Sequence, residues 1–130
     1  MIKTAVVILN WNGAEMLRTF LPSVIRYSDS PGTEIFVADN GSTDNSVELI
    51  RTEFPDIHLI VLDSNYGFAE GYNRALAQID SEDVVLLYSD VEVTKNWLQP
   101  WVEPLDAYPE TVAFQPKILS GYQKDQFEYA

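Results

Sequence analysis

The chain has 130 residues, 46% of them hydrophobic, with 20 acidic against 8 basic side chains and no cysteine. That size and apolar content suit one globular domain burying roughly two-thirds of its unfolded surface, which excludes a disordered chain. A net charge of −12 with no Lys/Arg cluster excludes nucleic acid as a partner, and the missing cysteines exclude disulfides and thiol chemistry. No apolar run is long enough to span a bilayer, and the lead-in Met1-Ile2-Lys3 is too short for a signal peptide. The reading is a cytoplasmic soluble domain, with a peripheral seat at the inner face of the membrane left open.

Thr4 to Leu9 is a continuous, mostly β-branched and aliphatic run that predicts a central strand. It ends at Asn10-Trp11-Asn12-Gly13, where Asn12 suits a helix N-cap, and Leu17, Phe20, Leu21, Val24 and Ile25 follow at helical spacing. Pro22 inside that pattern predicts a kink or break near Leu21. A dinucleotide-binding Rossmann domain would carry a Gly-rich turn at this junction, and the single glycine argues against one.

After the turn signals of Ser28 to Gly32, Glu34 to Ala38 reads as a second strand delivering Asp39-Asn40-Gly41-Ser42-Thr43-Asp44. Ser42 or Asp44 suits the cap of a helix carrying Val47, Leu49, Ile50 and Phe54 and ended by Pro55. Asp39 then sits at a strand tip, where an acid can accept hydrogen bonds from a base or a ribose; the plainer alternative is a turn residue without function. Ile57 to Leu62 reads as a third strand, with the single histidine, His58, at a packed or rim position and not a catalytic one.

The segment Asp63 to Arg74 leads into a helix with Phe68, Tyr72, Ala75, Leu76 and Ile79 on one stripe. Gly67 and Gly71 in its first turns each cost about 1 kcal/mol, which is reasonable where backbone or ligand must come close. Val84 to Tyr88 reads as a strand buried on both faces in the middle of a sheet. It emits Asp90 and Glu92, which in extended backbone share a face and suit Mg²⁺ or Mn²⁺ completed by phosphate oxygens. The plainer alternative has Asp90 capping a turn and Glu92 solvated. Trp97 to Leu105 reads as a helix, Thr111 to Gln115 as a fifth strand, and the chain from Ser120 onward is polar and aromatic without period.

Strands separated by helices call for a three-layer α/β/α domain with a mostly parallel sheet and right-handed crossovers. Asn10, Asn12, Asp39, Asn65, Asp90 and Glu92 all follow strands and would converge on one sheet edge.

Four stretches, Val6 to Asn12, Val37 to Asp44, Asn65 to Asn73 and Leu86 to Val93, together resemble the family 2 glycosyltransferases, and within them the rhamnosyltransferase-like branch with the GT-A fold. The resemblance implies an inverting transfer from a nucleotide-diphosphate sugar, such as dTDP-rhamnose or a UDP-sugar, to a saccharide or lipid-linked saccharide acceptor in polysaccharide biosynthesis, assisted by Mg²⁺ or Mn²⁺. It puts Asn10 and Asn12 beside the nucleoside, gives Asp39 to the base, lets Asn65 and Asn73 line the donor pocket, and sets Asp90 with Glu92 at the metal-binding DXD motif. Two departures stand out. Tyr88 occupies the first DXD position if the motif is Tyr88-Ser89-Asp90, whereas Asp90-Val91-Glu92 carries both acids. The family's general base follows a segment similar to Phe127-Glu128-Tyr129-Ala130, so residues 1–130 are expected to be a single donor-binding domain, truncated at the carboxyl end and lacking the base and acceptor half. The competing readings are a non-catalytic nucleotide-sugar or metal-binding module and an acidic α/β signalling domain. The latter is disfavoured because Asn10 and Asn12 stand where a receiver domain wants acids.

Overall fold

A computed structural model describes residues 1–116, 118–122 and 127–129. Four strands, β1 (Ile2–Asn10), β2 (Thr33–Asp39), β3 (His58–Val61) and β4 (Ser81–Leu87), pair in parallel in the order β3-β2-β1-β4. The crossovers are α1 (Ala14–Tyr27), α2 (Ser46–Glu53) and α3 (Gly67–Leu76). Right-handed connections set the layers. From β1 to β2 to β3 the chain moves one way across the sheet, which puts α1 and α2 on one face; from β3 to β4 it reverses, which puts α3 on the other. The reversal leaves a topological switch between β1 and β4, the place where open α/β sheets bind ligands beyond their carboxyl ends.

β1 is the spine. Alternate side chains of a strand face opposite layers, and both sets here are buried. Ala5 and Val7 join Phe36 and Tyr72 in a core flanked by Leu9, Ile60, Leu76 and Ile79, the α3 side. Val6 and Ile8 are as deeply buried on the opposite face, with Leu17, Leu21, Val24, Leu49 and Ile50 of α1 and α2 equally withdrawn from solvent. The register Asn10↔Asp39 and Ile8↔Leu87 brings the carboxyl ends of three neighbouring strands to one edge.

Two sequence expectations in this unit need correction. No break occurs at Pro22: α1 runs from Ala14 to Tyr27 with the proline inside it, bracketed by the buried Leu21 and Val24. Nor is β4 buried on both faces. It is a margin strand of the described sheet, and its burial alternates, with Val84 and Leu86 exposed and Leu87 buried. A short apolar run does not by itself tell a central strand from a margin strand, because much of any protein surface is apolar.

Residues 1–97 form one compact unit and 98–130 a second. In the second, α4 (Gln99–Ala107) starts with Pro100 in its first turn, where the missing N–H costs nothing, and carries Pro104 inside. Trp101 meets Phe114 edge-on at 6.2 Å. The expected fifth strand at 111–115 does not form; Val112 is fully exposed there, and β propensity is realised only against a partner. Instead a short antiparallel pair joins β5 (Ile118–Leu119) to β6 (Phe127–Tyr129). Residues 117, 123–126 and 130 lie outside the described residues, and with them part of the stretch from Ser120 onward read as polar and aromatic without period.

Candidate functional site

Beyond the carboxyl end of β1, Asn10 is buried and points its amide nitrogen at Asp39 Oδ1 (3.0 Å) and Ser42 Oγ (3.3 Å). The other Asp39 oxygen accepts from the Ser42 amide at 2.9 Å. A carboxylate can only accept, so the Asn10 nitrogen must face it. Asn10 Oδ1 is thereby left buried without a hydrogen bond among the described residues. Gly13 lies against that oxygen: a Cβ there would stand 2.5 Å from it, so the one glycine of this turn is a requirement of packing.

Asn12 adopts the left-handed region (φ 50°), which asparagine tolerates better than most residues. It does not cap α1 as the sequence suggested. Its Oδ1 accepts the amides of Thr43 (2.7 Å) and Asp44 (3.2 Å), while its own amide donates to Ser42 Oγ at 2.8 Å. The cap comes instead from Asp44. Its Oδ2 accepts the Ala14 amide at 3.2 Å, and its Oδ1 accepts the Ser46 amide at 2.9 Å and the Ser46 hydroxyl. One carboxylate thus serves the amino ends of both α1 and α2. Desolvation pushes the Asp44 carboxyl up, but the hydrogen bonds from Ser46, Ala14 and its own amide outweigh it, and the pKa lies below the usual 3.8.

Asn40, buried, stitches the next loop. Its nitrogen donates to Asn65 Oδ1 (3.2 Å) and the Gly67 carbonyl (3.0 Å), and its oxygen accepts the Tyr66 amide (3.0 Å). Two glycines make room for this. A Cβ on Gly41, at φ +74°, would meet the Ser64 backbone at 2.6 Å, and one on Gly71 would meet Asn40 Nδ2 at 2.9 Å. The close approach anticipated for the Gly67–Gly71 helix start is therefore realised at Gly71, by protein. Asn65 Oδ1 also accepts the Gly67 amide at 2.8 Å. Arg74 bonds Glu70 (2.9 Å) and lies 3.8 Å over the Tyr66 ring, whose hydroxyl bonds Asp63. The hydrogen bond to Asp63 raises the Tyr66 pKa.

At the end of β4 the strand stops at Leu87 and Ser89–Asp90 form a turn, so the alternation argument that would set Asp90 and Glu92 on one face does not apply. Both acids are exposed and neither makes a hydrogen bond among the described residues. Tyr88 is exposed against Phe68, ring centroids 5.7 Å apart. No three acids, histidines or cysteines cluster as a metal cage among the described residues.

These ends enclose a cleft of about 330 Å³ lined by Leu9, Trp11, Asn40, Asn65, Gly67, Phe68 and Ser89. It opens at the β1/β4 switch. Of the residues singled out from sequence, Asn65 lines it, Asn10 and Asp39 are buried at the adjoining strand ends, and Asn12 is engaged with residues 42–44. Asp90 follows the lining Ser89, and Glu92 comes two positions later. Asn73 is exposed on α3 and is not part of the lining. Trp11, Asn40, Phe68 and Ser89 were not singled out. Trp11 could have been: a large aromatic between two asparagines just past a buried strand has no core to enter, and it is 55% exposed.

The model of the family described as glycosyl transferase family 2 matches residues 5–129. The chain belongs to glycosyl transferase family 2. It is 26% identical over 98 residues to the N-acetylglucosaminyl-diphospho-decaprenol L-rhamnosyltransferase of Mycobacterium tuberculosis, covering 75% of this chain and 28% of that protein. Among solved structures it is similar to the mannosyltransferase PcManGT from Pyrobaculum calidifontis in complex with GDP-Man and Mn²⁺ (TM-score 0.61, 26% identity, 69% of this chain and 28% of that one). It is also similar in fold to S. aureus TarS 1-349 in complex with UDP-GlcNAc (TM-score 0.70, 22% identity, 90% of this chain and 40% of that one). The family 2 chain therefore has the GT-A fold expected from its motifs. It spans a third or less of the length of the curated relatives it matches. No helix among the described residues is long and apolar enough to cross a membrane.

Proposed function

We propose that residues 1–130 are the donor-binding part of an inverting glycosyltransferase that takes a nucleotide-diphosphate sugar, a dTDP- or UDP-sugar, and glycosylates a saccharide or lipid-linked saccharide. The observation that carries this reading is the cleft at the β1/β4 switch, aromatic and amide-lined, with Asp90 next to it in a family 2 chain. Its volume suits a nucleoside-sized group. Trp11 and Phe68 offer apolar ring surface to a base, and Asn40 and Asn65 offer amides to base or ribose. Each Asp39 oxygen accepts one hydrogen bond, which leaves about half of the carboxylate's acceptor capacity for a base N–H reaching the strand ends.

The diphosphate finds few cations here. The amino ends of α1 and α2 are already served by Asp44, and Arg74 is engaged by Glu70. That deficit supports a divalent cation, Mg²⁺ or Mn²⁺. Two exposed acids without protein partners among the described residues fit such a cation, because Mg²⁺ is commonly bound through one or two carboxylates plus substrate phosphates instead of a protein cage. Asp90, with Glu92, would hold it; when bound it supplies charge neutralisation on the departing diphosphate. In the transfer the acceptor hydroxyl oxygen bonds to the anomeric carbon as the bond from that carbon to the diphosphate oxygen breaks. The hydroxyl proton passes to a general base other than these residues, and the residues above orient the donor for that displacement. The lipid-linked acceptor follows the Mycobacterium relative's name.

Isothermal titration of UDP and dTDP, each with and without Mn²⁺, tests the reading. Binding that Mn²⁺ strengthens in the wild-type chain, and no longer strengthens in Asp90→Ala, is expected. Absence of binding by either nucleotide under both conditions would refute it.

A further inference from the structure

Trp11 is a large exposed side chain in the bend that follows β1, where it lines the cleft, and the residues on either side of it are tied down. Ser42 Oγ accepts from the side chain of Asn10 on one side of it (3.3 Å) and from the backbone amide of Asn12 on the other (2.8 Å). Ser42 is itself anchored, its amide donating to the buried Asp39 carboxylate at 2.9 Å. The Asn10 carbonyl receives the Asn40 amide at 2.7 Å, which fixes the first of the two flanking residues a second time. A single hydroxyl thus spans the tryptophan and ties it to the end of β2.

We propose that Ser42 is a positioning residue that sets the Trp11 ring as the wall of the cleft against which a nucleoside packs. This deepens the donor-site reading and rests on it for the nucleoside. The hydroxyl touches no ligand in this scheme; it acts through the two residues flanking Trp11. A second link, from Asn12 Oδ1 to the amides of Thr43 and Asp44, lies on one side of Trp11 only and serves the α1–α2 capping arrangement.

The test uses the full chain labelled with 5-fluorotryptophan, whose three ¹⁹F resonances are assigned with the Trp11→Phe, Trp97→Phe and Trp101→Phe variants. Ser42→Ala should move or broaden the Trp11 resonance, leave those of Trp97 and Trp101 in place, and raise the UDP dissociation constant in Mg²⁺ roughly tenfold. Ser42→Thr, which keeps the acceptor oxygen, should restore both. Asn12→Gly, which removes the side-chain link to Thr43 and Asp44 and still accepts the positive φ of this position, should leave the Trp11 resonance near its original position. An unmoved Trp11 resonance in Ser42→Ala overturns the proposal, as does an unchanged UDP affinity beside a moved resonance, or an equal displacement in Asn12→Gly. If alanine costs the fold, Ser42→Cys, a weaker acceptor, must give the same changes at smaller amplitude. If the wild-type chain binds no nucleotide, the donor reading fails by itself, and the resonance comparison alone decides whether Ser42 sets Trp11.

Discussion

On the β1–β2 side of the cleft, loop is tied to loop. Asn10, Asn12, Asp39, Asn40, Ser42 and Asp44 bond to one another and to the backbone, and a Cβ would collide with Asn10 if placed on Gly13, with Asn40 if placed on Gly71 and with the Ser64 backbone if placed on Gly41. On the β4 side, Asp90 and Glu92 reach solvent with no protein partner among the described residues. The first side is built at folding, with Asn10 Oδ1 and part of the Asp39 acceptor capacity left unengaged among the described residues. The second has kept its ligand capacity in hand. Preorganised walls facing unengaged carboxylates are what a site needs when part of its structure arrives with the substrate. Substitutions on the two sides should accordingly divide: those on the first cost stability, and reach the ligand only through the wall they hold, as Ser42 does through Trp11, whereas those on the second cost binding alone.

The largest expected loss is at Gly41. Alanine there combines a positive φ with a Cβ 2.6 Å from the Ser64 backbone, and should destabilise the chain by about 2–4 kcal/mol in urea unfolding. Gly67 provides the comparison within the same layer. It shares the positive φ (+76°) but a Cβ would meet nothing within 4 Å, so Gly67→Ala should cost only about 1–2 kcal/mol. Equal losses at the two positions would mean that φ alone matters and that the loops are not tightly apposed at Gly41.

Next comes Asp44, whose carboxylate serves two helix ends. Asp44→Ala should cost about 1–2 kcal/mol at neutral pH. The folded-state pKa is lowered below 3.8, so the stabilisation is fully present above that unfolded-state value and is lost as pH falls through the lower folded value. Urea midpoints of wild type and variant should therefore converge in acid. A gap that stays constant down to strongly acidic pH would show that Asp44 acts through packing and not through its charge.

Much of this division could be read from residue types. Strand–helix alternation predicted the parallel sheet and gathered Asn10, Asp39, Asn65 and Asp90 towards one edge, because the carboxyl ends of parallel strands must lie together. What could not be read was which partner each polar residue takes. Asn12 has the chemistry of an N-cap and uses it on the next loop, while Asp44 reaches back across 30 residues to Ala14. Capping rules count along the chain, and these contacts cross it. The burial of β4 departs from its sequence pattern for a related reason. Val84 to Leu87 looks the same in the middle of a sheet and at its margin, and only strand order, a property of the whole chain, decides.

The smallest expected effect on folding belongs to Asp90, and it bears most on function. Asp90 is exposed, in a turn, with no hydrogen bond for alanine to remove among the described residues, so Asp90→Ala should shift stability by no more than about 0.5 kcal/mol. In wild type, Mn²⁺ with UDP should raise the melting temperature, because a ligand that binds only the folded state stabilises it by mass action. In Asp90→Ala that increment should disappear although the unliganded melting temperature is unchanged. A lowered unliganded melting temperature would mean that the β4 side is structural as well, and the contrast between the two walls would be lost. An undiminished increment would move the cation away from Asp90 and leave Glu92 to be tested in the same way, since Tyr88, turned against Phe68, is the remaining member of the other motif register.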